Sequence, residues 1–212
     1  MNSILSSSRK VMVLAGAVML AASLGFAEDA APPAASTLDN LKAAFNGESN
    51  AQAKYAAFAV KADEEGYGQV ASLFRASAKA ESIHAANLAR TITAMGAEPK
   101  ADIKAAEVKT TKENIADALA GETYETEKMY PEFAKQAELD KNEKAIRNFK
   151  GAMVVESDHA KFFTEALANL EQWREGTKDF LVCDVCGYTT VDLGLMKCPI
   201  CAAPRSKMEI VK

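Results

Sequence analysis

Residues 81–84 read Glu-Ser-Ile-His, and residues 156–159 read Glu-Ser-Asp-His. The two segments contain both histidines of the chain, and each histidine stands three residues after a glutamate. On a helix, three steps of about 100° bring such a pair onto one face, within reach of the same ion. One Glu-x-x-His motif arises easily by chance, but two that hold every histidine of the chain indicate a metal site.

The sequence around these motifs predicts four long helices. Apolar residues recur at helical spacing over residues 38–65 and 70–95, and glycine or proline follows each run. Thr110-x-x-Glu113 is a capping-box pattern that opens a third helix, and Asp140-x-x-Glu143 opens a fourth, which extends to about residue 173. Two short connections and a longer one in the middle predict two antiparallel hairpins, packed as an all-α four-helix bundle.

Three further glutamates, Glu48, Glu122 and Glu125, lie within the predicted first and third helices. Residues 44–49 resemble residues 118–123, and a Glu-x-x-His motif follows each of them roughly 33 residues later, which indicates two related helix pairs. One Glu from each of two helices and one Glu-x-x-His from each of the other two is the ligand pattern of di-iron and di-manganese bundles. Carboxylates bridge and neutralise two cations, whereas buried without them they would oppose folding.

Four cysteines follow the predicted bundle as Cys183-x-x-Cys186 and Cys198-x-x-Cys201, with eleven residues between the pairs. This spacing is typical of a tetrahedral four-sulfur metal site. Two disulfides and a structural zinc ribbon are the alternatives, and spacing alone does not separate zinc from iron. The short segments and turn residues in this part of the chain predict a small β-rich module with a core of its own, and a boundary near Gly176 follows.

The first residues have the pattern of an export signal. Arg9 and Lys10 precede an uncharged apolar run, and residues 25–27 (Gly-Phe-Ala) offer small side chains at the positions that a signal peptidase reads. We predict cleavage after Ala27 and a periplasmic mature protein. An uncleaved membrane anchor is the alternative, but the apolar run is shorter than the roughly 20 residues that span a bilayer. Residues 28–36, which contain alanine and proline, form a predicted disordered leader.

Composition agrees with this organisation. The chain has 212 residues, of which 49% are hydrophobic and 7% aromatic, and it can form one ordinary core with a small added module. A formal charge of -4 without a basic stripe argues against a nucleic-acid partner, and no Gly-rich nucleotide-binding motif is present. The predicted parts are therefore a signal peptide (1–27), the leader (28–36), the bundle (37–175) and the cysteine module (178–212).

Several segments resemble rubrerythrins when they are taken in chain order. They are residues 45–49 (Phe-Asn-Gly-Glu-Ser), the two Glu-x-x-His motifs, residues 121–125 with their two glutamates, residues 129–131 (Met-Tyr-Pro) and the cysteine pairs. The contexts Cys-Asp-Val-Cys-Gly-Tyr and Cys-Pro-Ile-Cys are similar to the two metal-binding turns of rubredoxin. The resemblance covers residues 38–211. It implies a ferritin-like di-iron bundle, with two irons per chain, followed by a rubredoxin-like domain with one iron.

The resemblance also implies roles for individual residues. Four glutamates would coordinate or bridge the irons of the bundle together with two histidines, and the cysteines would hold the third iron. These residues are Glu48, Glu81, Glu125, Glu156, His84, His159, Cys183, Cys186, Cys198 and Cys201. Glu122 is similar to an additional, catalytic carboxylate of the family that replaces His84 on oxidation; an exposed helix glutamate is the alternative. Tyr55 and Tyr130 match tyrosines beside the centre, although core packing would also explain them.

Rubrerythrins reduce hydrogen peroxide with electrons that pass through the rubredoxin-like iron, so the resemblance implies a peroxidase of oxidative-stress defence. It also implies a homodimer, in which the cysteine iron of one subunit approaches the di-iron centre of the other. Export favours a periplasmic electron donor, such as a cytochrome or a small iron protein, and no membrane association is expected after cleavage. The alternatives are a ferroxidase that detoxifies iron and a non-catalytic metal-binding electron carrier.

Overall fold

The computed structural model describes residues 35–212. The predicted signal peptide and residues 28–34 of the predicted leader lie outside this range, so cleavage after Ala27 stays a prediction. Ser36, which we assigned to the leader, is the N-cap of the first helix, and its hydroxyl accepts a hydrogen bond from the Asp39 N–H at 3.2 Å. Ser36 therefore belongs with the bundle.

The described residues form the expected four-helix bundle, followed by a small strand region. The α-helices are α1 (Thr37–Glu64), α2 (Gly68–Ala94), α3 (Thr111–Tyr124), α4 (Tyr130–Leu139) and α5 (Glu143–Ala168). A π-helical turn, Glu125–Met129, joins α3 to α4 in one continuous rod, so the bundle has four rods. A 3-10 turn, Leu170–Trp173, follows α5 where we expected the fourth helix to continue. Within residues 35–212, no helix is both long and apolar enough to cross a bilayer.

One of the two predicted capping boxes is present and the other is not. Thr110 caps α3, since its hydroxyl accepts from the Glu113 N–H and the Glu113 carboxylate accepts from the Thr110 N–H. Asp140 does not open α5, whose N-cap is Asn142. Asp140 ends α4 instead, and its carboxylate accepts hydrogen bonds from the N–H and the hydroxyl of Thr37, at 3.1 and 2.6 Å. This carboxylate ties the end of the third rod to the start of α1.

The buried glutamates and histidines of the bundle lie in a polar layer between two apolar clusters. Along α1, Glu48 stands between Ala44 of one cluster and Tyr55 of the other, and the remaining three rods repeat this order. In one cluster, four of the aromatic rings contact one another, with centroids 5.4 to 6.4 Å apart. These rings belong to Tyr55, Phe58, Phe74 and Phe163. The apolar residues on either side therefore fix the depth at which the polar layer sits.

The C-terminal module is a three-stranded antiparallel sheet that carries the cysteines. Its strands are β1 (Phe180–Cys183), β2 (Thr189–Thr190) and β3 (Met208–Val211), in the order β2-β1-β3. Side chains of β1 alternate: Phe180 and Val182 pack in an apolar cluster of the bundle, whereas Leu181 and Cys183 pack among the cysteines. The Phe162 ring of α5 meets the Phe180 ring edge-on, with centroids 5.5 Å apart. The module therefore has a small cluster of its own and, through the other face of β1, also shares the core of the bundle.

Polar and backbone contacts also fasten the module to the bundle. The Lys79 ammonium of α2 pairs with the Asp184 carboxylate at 3.1 Å and with Glu209. The connection that precedes the module packs on the start of α2, where a Cβ on Gly68 would lie 2.1 Å from the Gly176 carbonyl oxygen. Only a residue without a side chain permits this approach. Bundle and module form one compact unit.

We expect Phe180→Ala to lower the free energy of unfolding of the bundle by about 3–5 kcal/mol, because it opens a cavity in the shared core. Leu181→Ala, one residue along the same strand, removes contacts among the cysteines only, so it should weaken iron retention by the module and leave helical stability nearly unchanged. Denaturant unfolding followed by far-UV circular dichroism and by the visible absorption of cysteine-bound iron distinguishes the two variants. Equal helical destabilisation in both, or none in either, would contradict the shared core.

Candidate metal centres

Six side chains with metal-ligating groups meet in the polar layer of the bundle. Every rod contributes at least one of them, and each residue is at most 3% exposed. They are Glu48 of α1, Glu81 and His84 of α2, Glu122 of α3, and Glu156 and His159 of α5. Helical spacing places each histidine beside the glutamate of its own motif, as the sequence predicts.

Two of the glutamates reach both histidines, each with separate oxygens. Glu156 Oε1 lies 2.7 Å from His84 Nδ1, and Glu156 Oε2 lies 2.9 Å from His159 Nδ1. Glu81 repeats this arrangement, with Oε2 at 3.1 Å from His84 Nδ1 and Oε1 at 3.4 Å from His159 Nδ1. A carboxylate that presents one oxygen to each of two positions is arranged as a bridging ligand.

The other two glutamates stand at opposite ends of this bridge. Glu48 Oε1 is 3.8 Å from His84 Nδ1, and Glu122 Oε2 is 3.7 Å from His159 Nδ1. The cluster thus divides into two groups of four residues, which share Glu81 and the second bridging glutamate. In each group the ligand atoms lie within 4.8 Å of one another, so one cation can reach all four. The arrangement fits two adjacent cations.

Buried polar atoms without partners surround the space between these ligands. Six atoms of the cluster have no hydrogen-bond partner: Glu48 Oε2, Glu81 Oε1, Glu122 Oε2, both carboxylate oxygens of Glu156, and His159 Nδ1. Although some lie close to one another, they are not aligned as hydrogen bonds. Unpaired polar atoms in a core cost free energy, and cations that take them as ligands remove this cost. The donor set therefore fits two divalent metal ions.

Burial and mutual repulsion shift the ionisation of these groups. Burial, together with the charges of neighbouring glutamates, raises the pKa of Glu48 well above its ordinary value and raises the pKa of Glu122 to about 8. Burial also opposes ionisation of Glu156, but the two adjacent histidines lower its pKa to about 2. Burial opposes protonation of His84 and His159, yet the carboxylates around them raise the pKa of both. Cations that bind here must therefore displace protons.

Two buried tyrosines hold the outer glutamates. The Tyr55 hydroxyl of α1 donates a hydrogen bond to Glu122 Oε1 at 2.7 Å, and the Tyr130 hydroxyl of α4 donates to Glu48 Oε1. Each tyrosine thus reaches the glutamate of another rod and leaves the second oxygen of that carboxylate without a partner. Core packing alone does not account for two hydroxyls that both end on outer glutamates.

We predicted Glu125 as a ligand and Glu122 as the additional carboxylate, and the structure places the two residues the other way round. Glu122 is fully buried and completes the group around His159, whereas Glu125 belongs to neither group and is only partly buried. The rod widens into its π-helical turn at Glu125, and this glutamate lines a cavity beside Tyr55. Helical spacing permits either residue to face the centre, so the sequence did not separate them. In this structure Glu125, and not Glu122, stands outside the two groups of potential ligands.

The four cysteine sulfurs form a compact group without a disulfide. Cys183 Sγ lies 3.6 Å from Cys201 Sγ, and Cys186 Sγ lies 3.6 Å from Cys198 Sγ. A disulfide would bring two sulfurs to about 2 Å. Sulfurs at about 2.3 Å from the centre of a tetrahedron lie roughly 3.8 Å apart. The geometry therefore fits one tetrahedrally coordinated metal ion and excludes the two disulfides in this structure.

Backbone N–H groups in the turn after each cysteine pair are directed at sulfur. The Tyr188 N–H donates to the Cys186 sulfur, and the Ala203 N–H donates to the Cys201 sulfur. Although burial opposes ionisation of Cys201, the Ala203 N–H and the neighbouring thiols lower the pKa of this thiol. Such donors stabilise the thiolate form, which is the form that binds metal.

The first cysteine turn lies against both histidines of the bundle. His84 Nε2 is 3.0 Å from the Cys186 carbonyl oxygen, and His159 Nε2 is 3.2 Å from the Thr189 hydroxyl. That hydroxyl donates to the Gly187 carbonyl oxygen at 3.0 Å, so its own oxygen accepts from His159. Each histidine therefore donates its Nε2 proton to the module and presents Nδ1 to the carboxylates.

No sequence pattern indicates Thr189 or a second role for Gly187. A threonine in a two-residue strand belongs to no metal-binding pattern, and by sequence Gly187 is one of the turn residues of the cysteine module. A Cβ on Gly187 would lie 2.5 Å from His84 Nε2 and 3.3 Å from the Ala80 carbonyl oxygen. Gly187 also has a φ of 81°, which favours glycine. Here the contact lies within one chain, and the homodimer stays a prediction.

Comparison with known proteins identifies the family. Residues 39–167 match the family model described as rubrerythrin, and residues 182–209 match the one described as the rubredoxin-like domain of rubrerythrin.

The chain belongs to the rubrerythrin family. It is 37% identical over 199 residues to nigerythrin from Nitratidesulfovibrio vulgaris, an alignment that covers 92% of this chain and 96% of that protein. A rubrerythrin from Porphyromonas gingivalis is 33% identical over 180 residues, which cover 83% of this chain and 90% of the relative.

Solved structures agree with membership of the rubrerythrin family. Fully reduced nigerythrin superposes with a TM-score of 0.77 at 35% identity, covering 95% of this chain and 100% of the other. Bacterioferritin from Desulfovibrio desulfuricans superposes with a TM-score of 0.58 at 22% identity, over 64% of this chain and 80% of the other, and shares the fold. This rubrerythrin is thus a di-iron oxidoreductase with a ferritin-like di-iron site and a four-cysteine rubredoxin-like site.

We expect Glu122→Ala to lower the iron content of the bundle, because it removes one of the four ligands around His159. Glu125→Ala, the same substitution three residues along the rod, should keep two irons in the bundle. Total iron analysis, with the cysteine iron counted separately by its visible absorption, gives the bundle occupancy of each variant. Loss of iron from Glu125→Ala together with full occupancy in Glu122→Ala would restore the roles that we first predicted.

We expect Gly187→Ala to separate the module from His84, because the added methyl group meets the imidazole and the left-handed backbone becomes strained by about 1–2 kcal/mol. Gly96→Ala is the matched control, since Gly96 has a φ of 79° but no atom within 4 Å of an added Cβ. Hydrogen exchange at the backbone amides of β1 and β2 measures the separation. Faster exchange in both variants alike, or in neither, would show that the close approach imposes no constraint.

Proposed function

We propose that this rubrerythrin is a non-haem di-iron peroxidase that reduces hydrogen peroxide to water in defence against oxidative stress. The observation that carries the proposal is the 3.0 Å contact between His84 Nε2 and the Cys186 carbonyl oxygen, because it joins a candidate ligand of the bundle site to a candidate ligand of the cysteine site. A bundle site alone would also suit iron oxidation for storage. The four-cysteine site lies against the bundle site and would exchange one electron at a time. This arrangement supports a reaction that needs repeated delivery of electrons.

Reduction of one hydrogen peroxide molecule breaks its O–O bond, consumes two electrons and two protons, and yields two water molecules. When bound, iron at the two sites would supply one-electron redox chemistry, with electrons from an external one-electron donor. Glu81 and Glu156 would bridge the two irons of the bundle, with Glu48 and His84 on one side and Glu122 and His159 on the other.

The two histidines connect both sides of this centre to the same cysteine turn. His84 donates to the carbonyl of Cys186, which also offers a thiolate ligand. His159 donates to the Thr189 hydroxyl, which in turn donates to the Gly187 carbonyl. Neither imidazole can rotate without breaking its contact with the module, so Nδ1 of each ring stays directed at the metal position. Short hydrogen-bonded paths of this kind support electron delivery to either side.

The two tyrosines would orient the outer glutamates, and Glu125 would supply protons. The hydroxyls of Tyr55 and Tyr130 hold Glu122 and Glu48 in place. Glu122 presents its free oxygen, Oε2, to His159, whereas Glu48 Oε1 accepts from Tyr130 and also lies 3.8 Å from His84 Nδ1. Burial raises the pKa of Glu125 well above its ordinary value, with further contributions from the surrounding glutamates. Its carboxyl lies beside Tyr55 at the edge of the centre, where it could deliver a proton to a departing peroxide oxygen.

The electron donor follows from the export prediction. If the chain is cleaved after Ala27 and released into the periplasm, a periplasmic cytochrome or a small iron protein would reduce the cysteine iron. The contacts of the relay lie within one chain, so a single subunit holds both sites. A homodimer would add a second relay without changing these contacts.

Anaerobic stopped-flow mixing of the reduced, iron-loaded protein with hydrogen peroxide tests the function. We expect peroxide to oxidise both sites, with two electrons consumed per peroxide. In Cys198→Ser, the first oxidation of the bundle should stay fast, but turnover with an external reductant should fall at least about tenfold, because replacement electrons lack their route. Rapid oxidation by oxygen but not by peroxide would favour a ferroxidase. No oxidation by either would favour an electron carrier.

A further inference from the structure

A cavity of about 510 Å³ lies between α1, α3 and the connection that joins α2 to α3. It reaches Tyr55 and Glu125, which adjoin the metal centre. Its volume is in the range of clefts that bind small ligands, about 300–1,000 Å³. It also far exceeds the ~30 Å³ that one water occupies in the liquid. Hydrogen peroxide alone does not require this much space.

Asparagine side chains hold the connection in place as the roof of this cavity. Asn50 accepts a hydrogen bond from the Lys104 N–H at 2.9 Å and donates to the Asp102 carbonyl oxygen at 2.9 Å. At the other end of the roof, Asn114 accepts from the Lys109 N–H at 2.9 Å and donates to the Lys109 carbonyl oxygen at 3.1 Å. Hydrogen bonds at both ends hold the roof in position. The roof therefore does not depend on side chains packed in the space beneath it.

Two helical glycines leave the inner wall of the cavity open. A Cβ on Gly47 of α1 would meet no atom within 4 Å, and a Cβ on Gly121 of α3 would meet only the Tyr55 hydroxyl, at 4.0 Å. Glycine inside a helix is less stable than alanine by roughly 0.5–1 kcal/mol. Neither position needs glycine for packing, yet the two directly precede Glu48 and Glu122. Both glycines line the first cavity, so a side chain at either position would narrow it beside the metal centre.

A second cavity, of about 280 Å³, reaches the centre from the side of the cysteine module. His84 and Cys186 line it, so it lies along the proposed path of the electrons. Gly151 of α5 also lines it, and a Cβ there would meet no atom within 4 Å. The two cavities therefore approach the centre from different sides, and only the first reaches Glu125.

We propose that the first cavity is the substrate-binding site and that it admits hydroperoxides with a small alkyl group as well as hydrogen peroxide. Ala51 and Ala106 provide apolar surface for the alkyl group, and the peroxide end would face Glu125. An alkyl hydroperoxide would take two electrons from the reduced di-iron site and two protons. Its O–O bond would break to give one alcohol and one water. This substrate range rests on the peroxidase function proposed above.

The first test compares tert-butyl hydroperoxide with hydrogen peroxide in stopped-flow oxidation of the reduced, iron-loaded protein. Gly47→Val narrows the first cavity, and Gly151→Val is the matched control in the second. The ratio of the tert-butyl hydroperoxide rate to the hydrogen peroxide rate should fall at least about tenfold in Gly47→Val and stay unchanged in Gly151→Val. Ala106→Leu narrows the same cavity from the roof and replaces Gly47→Val if that variant loses iron.

Three outcomes would overturn the proposal: an unchanged ratio when the first cavity is narrowed, a fall in the ratio for Gly151→Val, or a wild-type protein that reacts with hydrogen peroxide only. A second measurement does not depend on turnover. Crystals of the oxidised, iron-loaded protein soaked in tert-butyl alcohol should show the alcohol beside Glu125, and crystals of Gly47→Val should not. If neither peroxide oxidises the wild-type protein, the proposed peroxidase function is wrong. If the soaked wild-type crystals show no alcohol in the first cavity, the proposed binding site is wrong, whatever the outcome for the function.

Discussion

Four carboxylates and two imidazoles buried in one layer of the core are the constraint on which the rest of this protein depends. Groups of this kind oppose burial unless cations or protons balance their charge, and six of their polar atoms have no hydrogen-bond partner. Two cations that share Glu81 and Glu156 remove both problems at once. Apolar clusters on either side of the layer, and the hydroxyls of Tyr55 and Tyr130, hold the ligands at the depth where those cations fit.

The cysteine module also contributes to this centre, because it covers the two histidines of the bundle. Strand β1 directs Phe180 into the core of the bundle and Leu181 into the cysteine cluster, so one strand stabilises both parts. The turn that follows supplies a carbonyl acceptor for His84 and, through Thr189, a hydroxyl acceptor for His159. The contacts that fix the imidazole rings are therefore also the contacts that join the two metal sites.

The centre has two different sides in the proposed function. On the module side, hydrogen bonds connect the histidines to a thiolate site that exchanges one electron at a time. On the other side, Glu125 and a cavity with an open inner wall face the same centre. In the proposed function, peroxide arrives on the side of Glu125 and electrons arrive on the side of the cysteine turn. A single chain can hold both sites because the module covers only one face of the polar layer.

Sequence spacing alone determined the four rods, both metal-binding motifs and nearly all of the candidate ligands, because a Glu-x-x-His on a helix and a Cys-x-x-Cys in a turn are local geometries. It did not determine which of Glu122 and Glu125 completes the centre, since helical spacing permits both and the widening of the rod at Glu125 depends on packing. Nor did it find the roles of Asp140, Gly187 and Thr189. The partner of each of these residues lies 30 to 103 positions away along the chain, so only the tertiary structure brings them together.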